Sequence, residues 1–246
     1  MCAFDCRVNL GEILVPGYCR SASEVSELLA KRGIERAIVC SAYAANVDPL
    51  TGNQMLKGTL DEHPEFYGCL TAHLGRPTAS IQSIRDLLGN RRFVATMLVN
   101  QFINEPLKPI IAEEILNACR RFQKPIYIHT PNGDCVEVAL HLAKSYTMHR
   151  FVLLGMGGPD WRSAVGAAHQ MTNIMLEISG PPDLRKIPYA LEVLGPQRMV
   201  FGSGMPSMDP AALIGLLDDL NLRPGDRRRI LSDNADRLFG LAEMND

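Results

Sequence analysis

Short uninterrupted apolar runs alternate along the chain with longer stretches in which apolar residues recur every three to four positions. Apolar runs of strand length mark strands buried on both faces, and helical stretches between them mark crossover helices, so the alternation predicts a parallel sheet of βα units. Strands are expected at Phe4–Leu10, Arg36–Ala42, Phe66–Ala72, Phe93–Val99, Pro125–Thr130, Phe151–Gly155, Ile174–Ser179 and Met199–Ser203. Eight strands in 246 residues fit an α/β fold of the single (β/α)₈ TIM barrel type, which occupies about 250 residues as one domain.

Local signals bound the helices. Ser21 and Glu24 form an S-x-x-E capping box ahead of Val25, Leu28 and Leu29, and Gly33 ends that segment. Thr78 and Gly89 bracket a helix whose apolar face is Ile81, Ile84, Leu87 and Leu88. Later helices are expected near Lys108–Phe122, Asp134–Met148, Trp161–Met171, Leu184–Leu194, Pro210–Leu220 and Asp226–Leu238, joined by short connections, so residues 1–246 read as one domain without a lid or inserted subdomain. An open doubly wound sheet would give a similar alternation. A dinucleotide-binding version would need G-x-G-x-x-G after a strand, and Gly155-Met156-Gly157-Gly158-Pro159-Asp160 lacks the third glycine.

Composition narrows the partners. A hydrophobic content of 46%, a charged content of 21% and a net charge of −2 describe an ordinary globular protein with no field to attract phosphate backbones, so no nucleic acid is expected. The densest basic run, Arg227-Arg228-Arg229, reads as the solvated face of a last helix. No apolar run approaches the ~20 residues of a membrane span, and no leader segment is recognised. The 7 cysteines show no C-x-x-C spacing and read as reduced thiols in a cytoplasmic protein.

Five segments carry a more specific signal: Asp5-Cys6-Arg7-Val8-Asn9-Leu10-Gly11, Pro125-Ile126-Tyr127-Ile128-His129-Thr130, Gly155-Met156-Gly157-Gly158, Phe201-Gly202-Ser203-Gly204-Met205-Pro206 and Asn234-Ala235-Asp236-Arg237-Leu238-Phe239-Gly240-Leu241. In this order they resemble the amidohydrolase superfamily, in the amidohydrolase-related branch of metal-dependent hydrolases, decarboxylases and lactonases. There the first strand reads D-x-H-x-H-L-G, the fifth P-[IV]-x-I-H-T, the sixth ends in H-M-G-G, and the eighth reads F-G-S-D-x-P with the aspartate as metal ligand and general base. The resemblance implies a barrel that keeps the metal-binding histidine at His129 but has Arg7, Asn9, Gly155 and Gly204 where the other ligands would be. No catalytic metal or other cofactor is therefore expected. A guanidinium repels a divalent cation and cannot deprotonate to bind one.

Arg7, Asn9 and His129 should meet at the C-terminal mouth of the barrel and could bind a small anion, a carboxylate or phosphate, with Arg7 as clamp and His129 as proton-transfer group. Alternatively Arg7 pairs with an internal acid, Asp5 or Glu177. Glu177 is a candidate for orienting Arg7 or acting as a base, or it makes a salt bridge towards the helices. His73, after strand three, could reach the mouth or serve only its loop. Asn100 and Gln101 follow strand four, and Ser203 lies between glycines, although a nucleophile elbow would need glycine where Phe201 and Met205 stand. Cys135 falls in the helix after His129, and His63, His141, His149 and His169 read as surface residues. Three readings stay open: a metal-independent hydrolase or lyase of amidohydrolase descent acting on a small anion, a non-catalytic pseudoenzyme that binds a ligand or stabilises a homo-oligomeric or paralogous partner, or a purely structural barrel whose mouth is closed by side chains and takes no ligand.

Overall fold

The computed structural model describes residues 3–11, 21–102, 104–180 and 183–241. Eight parallel strands follow one another around a barrel: β1 (Ala3–Leu10), β2 (Ile34–Ser41), β3 (Phe66–His73), β4 (Phe93–Val99), β5 (Ile126–His129), β6 (Phe151–Leu154), β7 (Ile174–Glu177) and β8 (Met199–Val200). The helices are α1 (Ala22–Lys31), α2 (Ala42–Asn46), α3 (Pro49–Glu62), α4 (Pro77–Leu87), α5 (Pro109–Cys119), α6 (Gly133–Ser145), α7 (Trp161–Gln170), α8 (Lys186–Leu194), α9 (Pro210–Asp219), α10 (Pro224–Arg228) and α11 (Asn234–Phe239). The fold is the expected (β/α)₈ TIM barrel. The capping box at Ser21 and Glu24 is formed as read.

Two differences concern the elements themselves. The β2–β3 crossover is a pair of helices, α2 and α3, where none had been assigned. The eighth strand is shorter than expected because its ladder with β7 stops at Val200. Beyond it the chain turns its hydrogen bonds to β1, and the amides of Cys6, Gly204 and Asn9 donate to the carbonyls of Phe201, Arg7 and Met205 at 2.9, 2.9 and 2.7 Å. These bonds close the barrel.

Strand alternation sorts the core into two layers. Ile38, Cys40, Tyr67, Cys69, Tyr127, Val152, Leu154 and Val200 pack together inside the barrel, while Ala37, Val39, Phe66, Ile126, Ile128, Phe151 and Leu153 face the helices. From the last helix, Phe239 closes the N-terminal end of the barrel, with its ring 6.1 Å from that of Tyr127 and 6.4 Å from that of Phe4. The register of β1 against β2 shifts between Asp5 and Val8. An extra residue there lets Cys6 join the interior and still leaves Arg7 reaching across the barrel to β7.

The same end is fastened further by side chains that reach backwards. Helices leave their last carbonyls without intrahelical partners, and in successive units these are taken by a donor from the following unit. Arg92, before β4, donates to the carbonyls of His63 and Phe66, and Lys124, before β5, to those of Leu88, Asn90 and Phe93. Asn173, before β7, holds Ala143 and His149; Arg198, before β8, holds Ala168, Met171 and Ile174; Asn234 holds Pro196 and Met199. His149 belongs to this set. It is only 3% exposed rather than on the surface, because its Nε2 donates to the Leu116 carbonyl of α5 at 3.1 Å.

Candidate functional site

Four strand ends meet at the C-terminal mouth. His129 ends β5 two residues beyond the inward-facing Tyr127, and is half-buried. Glu177 ends β7 with no exposure, two residues beyond Met175. Arg7 and Asn9 come from β1, half-buried, and residues 201–205 run beside them along the seam.

Arg7 is held by β7. Its Nη1 donates to Ser179 Oγ at 2.9 Å and lies 3.4 Å from Glu177 Oε2. The carboxylate collects three further donors: the amide of Gly155 at 3.0 Å, the amide of Ser179 at 2.6 Å and the Ser179 hydroxyl at 2.7 Å. Glu177 therefore sits in a socket from β6 and β7 that matches an ionised acid. The socket is shaped closely around it, since a Cβ at Gly202 would fall 2.6 Å from Oε1. Of the two internal acids considered for Arg7, the guanidinium meets Glu177. Asp5 instead accepts backbone amides, those of Arg7 at 3.0 Å and Ser203 at 2.9 Å.

The guanidinium also occupies a particular volume. A Cβ at Gly155 would lie 3.7 Å from Arg7 Nη1, so Arg7 stands where a side chain at 155 would project. Gly155 and Gly204 have φ of +75° and +73°, a conformation that L side chains adopt at some strain. Nη1 is the only guanidinium nitrogen of Arg7 hydrogen-bonded to a described residue, and the side chain is 17% exposed.

The remaining predicted residues divide into mouth and frame. Asn9 is half-buried, with Nδ2 3.4 Å from the Met205 carbonyl. His73 turns its Nδ1 to accept the amide of Gly75 at 2.9 Å, and burial together with the charge of Arg76 lowers its pKa. Asn100 donates to the Pro106 carbonyl at 3.2 Å. Ser203 is 1% exposed and serves the seam, accepting the Met205 amide at 3.0 Å beside Asp5. Burial is the main force on Asp5, raising its carboxyl pKa to about 7 against the lowering effect of its bonds to Ser203 and Arg7; the charge of Glu177 adds to the rise.

Two functional-looking residues escaped the sequence reading. Ser179 was legible in principle, because it follows Glu177 by two and so shares its inward side. Lys186 was not, since a lysine opening a helix ordinarily faces water. Here it is 2% exposed, donates to the Ser179 carbonyl at 2.8 Å, and is lowered in pKa by burial against the opposing pull of Glu177 and Asp183. Among the described residues, no group of three or more His, Cys, Asp or Glu side chains converges as a metal centre, and no helix is long and apolar enough to cross a membrane.

Solved structures with this architecture include 2,6-dihydroxybenzoate decarboxylase from Rhizobium, 16% identical with a TM-score of 0.79 over 98% of both chains. Dihydroxybenzoic acid decarboxylase from Polaromonas sp. JS666, with bound manganese and 2-nitroresorcinol, is 15% identical with a TM-score of 0.79 over 98% of this chain and 97% of that one. For 5-carboxyvanillate decarboxylase from Sphingomonas paucimobilis the values are 13%, 0.77, 97% and 98%. At these identities the likeness is one of fold. No curated protein matches the sequence. The amidohydrolase family profile, in contrast, matches residues 24–241, nearly the whole barrel, and the chain therefore belongs to the amidohydrolase family.

Proposed function

We propose that this chain is a metal-independent amidohydrolase-family barrel whose mouth binds a small carboxylate, with Arg7 as the anion clamp and His129 as the proton-transfer group. The observation that carries the reading is the placement of Arg7. Its guanidinium fills the space in front of Gly155 and keeps Nε and Nη2 clear of hydrogen bonds to described residues. A fixed positive charge thus takes over the electrostatic role of a cation at that point, and its free edge matches a carboxylate in two-point geometry. The aromatic carboxylates named for the structural relatives make benzoates the first ligands to try.

The donor set does not suit a divalent ion. His129 and Asn9 offer one imidazole and one weak amide oxygen, while Arg7 brings a permanent positive charge. We expect elemental analysis of the purified protein to find far less than one zinc, manganese or iron per chain. Stoichiometric metal that chelator removes, together with any ligand-induced thermal shift, would overturn the metal-free reading.

Benzoate, 2,6-dihydroxybenzoate and acetate should each raise the melting temperature of the wild type, with the shift growing as the logarithm of concentration above saturation. In Arg7→Met the shift should vanish. A shift that survives in Arg7→Met would place the anion elsewhere. A second reading, a non-catalytic barrel with a plugged mouth, draws on the four donors already spent on Glu177, which leave that carboxylate poorly placed as a base. It predicts no shift with any carboxylate, in either protein.

A further inference from the structure

Lys186 is the only lysine or arginine among the described residues that is buried in the core, at 2% exposure. It opens α8, crosses back to the end of β7 and donates from Nζ to the Ser179 carbonyl at 2.8 Å. Ser179 is thereby gripped on every polar atom. Its amide and hydroxyl donate to Glu177 at 2.6 and 2.7 Å, and its Oγ accepts Arg7 Nη1 at 2.9 Å. One residue thus joins two cations, Arg7 through its side chain and Lys186 through its backbone.

A neutral donor would satisfy the Ser179 carbonyl equally well. A buried ammonium brings a charge in addition, and such a charge is costly unless an opposite one meets it. Glu177 and Asp183 are the acids that favour the charged form of Lys186. Both are already engaged. Glu177 is shared with Arg7 at 3.4 Å, and Asp183 is held by Arg185, whose backbone amide, Nε and Nη2 donate to it at 2.9, 3.0 and 2.9 Å. Asp5, on β1 two residues before Arg7, is kept protonated by burial below about pH 7. Arg7 and Lys186 therefore share the single buried carboxylate of Glu177, and one positive charge is left over.

We infer that Lys186 is a positioning residue of the anion site, seating Ser179 against Arg7 and supplying a second positive charge that one carboxylate from outside balances. The inference rests on the reading of Arg7 as the anion clamp. The ligand meets the free edge of Arg7, and Lys186 acts on it through Ser179 and through its charge. A plain strut, such as Lys124 at the other end of the barrel, would hold a carbonyl with no bearing on any ligand.

Calorimetric titration of the full chain with benzoate at pH 6 tests this. The wild type should bind it, Lys186→Met should lose roughly tenfold or more in affinity, and Lys186→Arg, which keeps the charge, should stay within roughly threefold of the wild type. If Lys186→Met folds poorly by circular dichroism, Lys186→Gln serves as the charge-free variant. A lowered urea midpoint with unchanged benzoate affinity in the charge-free variant would reduce Lys186 to a strut and overturn the inference. An equal loss in Lys186→Arg and Lys186→Met would do the same, since the charge would then not matter. Failure of the clamp itself looks different: benzoate binds neither protein, or binds the wild type and Arg7→Met alike, and both readings fall. Loss in Arg7→Met with full binding in Lys186→Met removes the role of Lys186 alone.

Discussion

Replacing Glu177 with alanine should lower the unfolding free energy by roughly 3–5 kcal/mol, the range typical of removing one partner from a buried ion pair. The carboxylate has no exposure and receives bonds from Arg7, Ser179 and the Gly155 amide. Without it, the guanidinium keeps its charge in a largely buried place, and two amides and a hydroxyl lose their acceptor. Equilibrium urea unfolding measures the loss directly. Arg7→Met/Glu177→Leu removes both charges at once and should be distinctly more stable than Glu177→Ala alone, since the stranded cation has gone. A Glu177→Ala midpoint close to that of the wild type would mean that water already satisfies Arg7, and the ion pair described at the mouth would have little energetic meaning.

The second large effect depends on pH. In the folded protein Asp5 titrates near pH 7, against an ordinary value of 3.8, because burial disfavours its ionised form. Its folded pKa is raised, so the native state holds a proton that the unfolded chain has released between those two values. The stabilising contribution is fully present below about pH 4 and is lost as pH rises through 7. Asp5→Asn keeps an Oδ1 acceptor for the amides of Arg7 and Ser203 but cannot ionise. Relative to the wild type, the variant should therefore gain stability from pH 4 to pH 8, by a total on the order of 4 kcal/mol for a shift of about three units. Urea midpoints for both proteins across that range provide the check. A difference that does not move with pH would show that Asp5 is not the titrating group.

The strand order was legible because each strand is buried on both faces and reads as a continuous apolar run. The helices that were missed had no such signal. The α3 segment contains Gly52, Asn53 and Gly58, which argue against a helix when read locally. Tertiary contact explains two of them: a Cβ at Gly52 would fall 2.3 Å from the Ala44 nitrogen of α2, and Asn53 is fully buried, bonded to the backbone of Thr71 and to Ser83. Strand eight was overestimated because Phe201 to Ser203 are as buried as a strand, although their hydrogen bonds run to β1 along the seam.

At the mouth, the resemblance of the strand-end motifs to those of the amidohydrolase family pointed to Arg7, Asn9 and His129, and Glu177 was a candidate from the seventh strand. It left open which acid Arg7 meets. That depends on a one-residue shift in β1, which no pattern in the sequence announces. Lys186 was overlooked and His149 misread for a common reason. Each is polar and lies near a helix end, where water is the ordinary partner, but here each is consumed by a backbone carbonyl.

The backward-reaching side chains at the N-terminal end of the barrel bear on how the molecule can be divided. Since Lys124 secures the α4 to β4 turn, Arg198 the α7 to β7 turn and Asn234 the α8 to β8 turn, no unit is complete until its successor has arrived. A chain emerging during synthesis would carry one unfinished corner at its growing end, handed forward from unit to unit until Asn234 seals the last. A half-barrel cut between β4 and β5 would expose the carbonyls of Leu88, Asn90 and Phe93, while the complementary half would present a lysine with nothing to hold. Each fragment thus carries the missing piece of the other, a layout that favours reassembly of matched halves over the independent life of either.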